Sequence, residues 1–124
     1  MIRVLTMILV IILTGCNRQL QQYENLVDQI NGVEVHYTRT DKVVRLSKQQ
    51  TETFKDILTR NINPEMQRKF SNEVRVDLFK DSNRLAFLRI YEGSQQPFVN
   101  FNSDSLNFGF QSTYGIGMFV NELE

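Results

Sequence analysis

Little in this chain is suited to covalent or metal chemistry. It holds one cysteine and one histidine in 124 residues. That is too few for a zinc site built from the usual nitrogen and sulfur ligands, so no metal is expected. One cysteine cannot form a disulfide pair within the chain, and stability must come from an ordinary apolar core. An excess of one charge is missing too: fourteen basic side chains face fourteen acidic ones. No basic block appears, which speaks against nucleic acid as a partner. Two prolines and six glycines do not make a disordered composition. No apolar run reaches the about 20 residues that a spanning helix needs.

What is there begins at the N-terminus. Met1-Ile2-Arg3 is a short positive opening. Val4 to Leu13 follows without a charge and with Thr6 as its polar interruption, and Thr14 and Gly15 are small. A charged start, an apolar stretch of about 7–15 residues and small residues at its end are the three parts of a secretory signal. Leu13-Thr14-Gly15-Cys16 then resembles the lipobox of bacterial lipoproteins: a branched apolar residue, two small residues and a cysteine. The resemblance covers residues 1–16. It implies that the Cys16 thiol takes a diacylglycerol. It also implies that signal peptidase recognises Leu13, Thr14 and Gly15, and that the chain is cut before Cys16. The thiol is the strong nucleophile of that segment. Two or three acyl chains hold a protein at a bilayer where one is marginal, each buried CH₂ contributing about 0.8 kcal/mol.

On this reading residues 1–15 are removed and residues 16–124 form a single domain anchored through Cys16. The covalent lipid on Cys16 is the one non-protein group expected, and the membrane is a partner through it. The location implied is the cell envelope. Asn17 stands where an aspartate would retain an enterobacterial lipoprotein at the inner membrane. The resemblance therefore points to the periplasmic face of the outer membrane, or to the outer face of the plasma membrane where there is no outer one.

The pattern within 16–124 is mixed. Leu20, Tyr23, Leu26, Val27 and Ile30 recur at helical spacing, predicting a helix over 17–31 that stops at Asn31-Gly32. Val33, Val35 and Tyr37 alternate with polar residues as a half-buried strand, and Val43 to Leu46 makes its hairpin partner. Ser47-Lys48-Gln49-Gln50 has the S-x-x-Q form of a capping box. It opens a helix from about Lys48 to Arg60 that ends before Pro64. Residues 65–72 are read as one helical turn and a loop. Four further strands follow: Val74 to Phe79, Arg84 to Tyr91, Phe98 to Asn102 and Leu106 to Gln111. The tail after Tyr114 reads as strand or as a short closing helix. The fold class expected is α+β: an antiparallel sheet of about five or six strands with two main helices packed on one face.

Candidate chemistry is thin. His36 shares its strand face with Glu34 and Thr38, so a carboxylate can lie near the imidazole, on what is otherwise an exposed polar face. A Ser-His-Asp triad stays open, since its members stand far apart in sequence, but no G-x-S-x-G elbow is present. Gly115-Ile116-Gly117 lacks the third glycine and the lysine of a phosphate loop and suits a bend or close packing. Asp81-Ser82-Asn83 lacks the glycine and distal glutamate of a calcium loop and suits a hairpin turn. Asp77 and Glu92 are carboxylates without a reason to pair. No catalytic residue is assigned.

Aromatic residues are the richer feature. Seven of nine phenylalanines lie at or after Phe79. A single-layer core needs one apolar face, so some rings are expected at the surface, with Phe79 and Phe101 as candidates for binding a partner. The function expected is a non-catalytic protein-binding module of the inhibitor or toxin-immunity type, its partner another envelope or secreted protein. The alternatives are an accessory lipoprotein of an envelope or secretion machine and, behind both, an envelope hydrolase.

Overall fold

In the computed structural model, residues 18–60, 62–65, 72–92, 97–112 and 115–123 are described. Leu13, Thr14, Gly15 and Cys16 lie outside them. Chain order runs α1 (18–28), then β1 (Gly32–Tyr37), β2 (Lys42–Arg45), α2 (Lys48–Thr59) and β3 (Ile62–Glu65). It continues through β4 (Asn72–Lys80), β5 (Asn83–Glu92), β6 (Phe98–Ser103) and β7 (Asn107–Ser112) to α3 (Ile116–Leu123). The strands form one antiparallel sheet in the order β2-β1-β4-β5-β6-β7-β3. The class is therefore α+β, with seven strands rather than five or six and three helices rather than two.

The additional strand is β3. Its residues read locally as a helix stop, yet they pair with β7, Pro64 lying opposite Phe110. An edge strand tolerates the proline because no ladder bond is needed on its outer side. Residues 66–71, within the segment read as a turn and loop, lie outside the described residues. The tail resolves as a helix: Gly115 takes a left-handed φ of 63° just before α3. Gly117 lies so close to Pro97 that a Cβ would approach the ring to 3.3 Å. Both glycines serve a bend and close packing.

Strand alternation sorts the side chains cleanly. Val33, Val76, Leu88, Phe101 and Phe110 occupy one face and are fully buried. Against that face α1 sets Tyr23 and Val27, α2 sets Phe54 and Leu58, and α3 sets Ile116 and Val120 in one cluster. Burying a side chain of this size contributes about 1.5–3 kcal/mol. The capping box forms in both directions: Gln50 N donates to Ser47 Oγ at 3.2 Å and Ser47 N to Gln50 Oε1 at 2.9 Å. The β4–β5 turn places Asp81 and Ser82 at φ 51° and 70°, the two left-handed positions of a primed hairpin turn. Asn31 fixes that turn, donating to Asp81 Oδ1 at 2.8 Å and accepting from Asp81 N at 3.0 Å. Among the described residues no helix is long and apolar enough to cross a membrane.

Candidate functional site

The helices take one face of the sheet, so the alternate residues of the central strands stand on the other. β1 supplies Glu34 and His36, β4 supplies Arg75 and Asp77, and β5 supplies Phe87 and Arg89; the register sets His36 opposite Arg75, Arg75 opposite Arg89 and Asp77 opposite Phe87. On β6 the same face carries Asn100, opposite Arg89, and Asn102, opposite Phe87. The intervening residues of β1, β4 and β5, such as Val35, Val76 and Leu88, are apolar and buried, and that alternation is what turns the polar set outward.

Asp77 organises the charged half of the face. Its side chain is 12% exposed. One carboxylate oxygen accepts from Arg75 Nε at 3.2 Å and lies 3.9 Å from Arg84 Nη1. The other lies 3.0 Å from His36 Nε2. That contact is not an aligned hydrogen bond, since the buried Nε2 finds no hydrogen-bond partner. Glu34 approaches the same nitrogen at 3.8 Å. Phe87 is the second organiser: the guanidinium carbons of Arg75, Arg84 and Arg89 stand 4.8, 5.8 and 5.6 Å from its ring centroid, within the range of cation–π attraction.

His36 with Asp77 is the orienting half of a triad. The serines of the sheet, Ser103 on β6 and Ser112 on β7, stand three and four strands from β1, about 14 Å or more away at ~4.8 Å per strand. Donor atoms of Glu34, His36 and Asp77 lie within 4.8 Å of one another, a spacing one cation could bridge, while Arg75 and Arg84 hold the far oxygen of Asp77. Glu92 is not brought to Asp77: it pairs with Asn72, five residues along β4.

The two candidate rings fare differently. Phe101, expected at the surface, is fully buried. Tyr23 packs edge-on against it at 5.0 Å. The correction follows from strand parity: Phe101 shares its side with Val99, whereas Asn100 and Asn102 take the other. Phe79 is half-buried. It lines a cleft of about 430 Å³ together with Arg45, Lys48, Glu52 and Asp81, so it is a cleft wall rather than a free ring. The two do not share a surface. Sequence reasoning missed Phe87 and the three arginines. The available signal was an aromatic ring at an outward position, between Ala86 and Leu88, on a strand whose next outward residue is Arg89 and whose neighbour β4 carries Arg75 and Asp77 outward.

Comparison of the chain with protein-family models, with curated proteins and with solved structures finds no match.

Proposed function

We propose that the chain is a lipid-anchored envelope protein that acts as a non-catalytic protein-binding module of the inhibitor or immunity type, and that the open sheet face is its docking surface. The observation that carries the reading is the cluster of Arg75, Arg84 and Arg89 around Phe87 on the face opposite the helices. Arginine and aromatic residues are the types enriched where binding energy concentrates. Here Arg75 and Arg84 are held by the buried carboxylate of Asp77, so less freedom is lost on docking. The anchor rests on the lipobox resemblance at Leu13 to Cys16.

Site-specific photo-crosslinking in intact envelopes tests the reading. Val43 lies on the open face opposite His36 and is 53% exposed, whereas Met118 on α3 is 70% exposed. A crosslinker at Val43 is expected to give a discrete protein adduct, and one at Met118 none. Equal labelling at both positions, or none at either, refutes the docking surface. Cys16→Ser is expected to abolish palmitate incorporation and to release the protein from membranes. Retention of the label refutes the anchor independently.

A further inference from the structure

We propose that this face selects its partner by charge: it takes an acidic protein segment, whose carboxylates are received by Arg75, Arg89 and Arg84. The inference rests on the docking reading above and names the class of partner. Arg75 and Arg89 lie directly opposite one another in the β4–β5 register, and like charges so placed destabilise a sheet. Arg84 brings a third guanidinium to the same ring. Among the described residues Asp77 is the acidic side chain in contact with them, and it is divided among Arg75, Arg84 and His36. Glu34 on β1 contacts His36 instead. Arg89 keeps a buried Nε with no hydrogen-bond partner among the described residues, so its guanidinium is not neutralised from within the sheet.

Residue type narrows the ligand. The three cations that β4 and β5 bring to the Phe87 ring, Arg75, Arg84 and Arg89, are arginines. The planar fork matches a carboxylate with two parallel bonds. The half-buried amide of Asn102 and the half-buried apolar ring of Phe87 suit a peptide. The nearby carboxylates of Asp77 and Glu34 would oppose a densely charged phosphate surface.

The test uses the full-length protein in detergent micelles and a fluorescein-labelled polyglutamate peptide, read by anisotropy. Binding is expected to weaken about tenfold as salt rises from roughly 0.1 M to roughly 1 M and the Debye length shrinks from about 10 Å to about 3 Å. Arg89→Gln is expected to weaken it about tenfold, the loss of one charge-assisted contact. The same variant is expected to melt no lower than wild type, because it relieves the pair with Arg75; a merely structural arginine would lower the melting temperature instead. Lys48→Gln, the same charge lost on α2, should change nothing. Equal weakening by Lys48→Gln, an unaffected Arg89→Gln variant, or displacement by polyphosphate but not by unlabelled polyglutamate would each overturn the inference. So would a Val43 adduct whose contact segment carries no carboxylates, and that outcome leaves the docking reading standing.

Discussion

Tyr23→Phe removes one oxygen from the middle of the core, and its cost can be worked out in advance. The Tyr23 ring is fully buried, stacked on Phe108 at 4.8 Å and edge-on to Phe101 at 5.0 Å. Phenylalanine keeps those contacts. What is lost is the bond that the hydroxyl donates to Leu58 O at 2.7 Å. Leu58 lies in the last turn of α2, where carbonyls have no partner inside the helix. Without the hydroxyl that carbonyl stays buried and unpaired, at about 1–3 kcal/mol. For a domain of this size the melting temperature should fall by about 5 °C or more. Urea unfolding should show a lower midpoint at an unchanged slope. A loss below about 0.5 kcal/mol would refute the assignment.

The same variant carries a pH signature. Burial first, and the charge of Glu24 second, hold the Tyr23 hydroxyl well above its usual range. Below about pH 10 the phenol is protonated in the folded and the unfolded chain alike, so its stabilising contribution is intact. Above about pH 10 the unfolded chain releases the proton first, and stability falls by up to about 1.4 kcal/mol per pH unit until the folded-state value is passed. Tyr23→Phe lacks that slope. The wild-type and variant stabilities should therefore converge above about pH 10, and parallel curves would count against the buried phenol.

Three further outcomes are expected. Phe101→Ala should cost about 3–5 kcal/mol, as core truncations of aromatics do, and circular dichroism should show lost folding rather than a folded protein with a separate binding defect. Asp77→Asn should lower stability by about 1–3 kcal/mol, because Arg75 and His36 lose their shared carboxylate; a thermal melt checks it. Ser47→Ala should cost about 1 kcal/mol in chemical unfolding through the lost N-cap.

Much of this architecture was legible because its cues are local. The capping box at Ser47 and Gln50, the turn at Asp81-Ser82 and the alternation of Val33, Val35 and Tyr37 each lie within a few residues. β3 was not legible. Its pairing of Pro64 with Phe110 joins residues far apart in sequence, and the local pattern Asn61-Ile62-Asn63-Pro64 carries only the stop. Phe101 was misplaced for a different reason: counting rings against a one-sided core says that some must be exposed without saying which. The parity shared with Val99 was the deciding cue. The cluster at Phe87 was beyond local reading, because Arg75 meets Arg89 only through the β4–β5 register, and Arg84 reaches the ring from beyond the irregularity at Leu78/Phe79.

The separation of features across the molecule bears on binding against catalysis. A reacting site gains from a pocket that excludes water, which strengthens every interaction inside it. Here the lone histidine lies on the open face, while the cleft lined by Phe79 draws on the start of α2, the end of β2 and the β4–β5 turn, without His36. A broad face with fixed arginines instead suits a partner of protein size. Under the proposed anchoring the geometry gains a further use. Helix α1 is already formed at residue 18, two residues beyond Cys16, a span of at most about 7 Å. So short a link confines the docking face to a thin layer at the membrane and raises the effective concentration of any partner that must cross or assemble there. Tyr23 then has two tasks, since α1 is the segment between anchor and sheet. Loosening it by Tyr23→Ala would lengthen the tether by the residues of α1 and should weaken capture at the membrane more than binding in detergent.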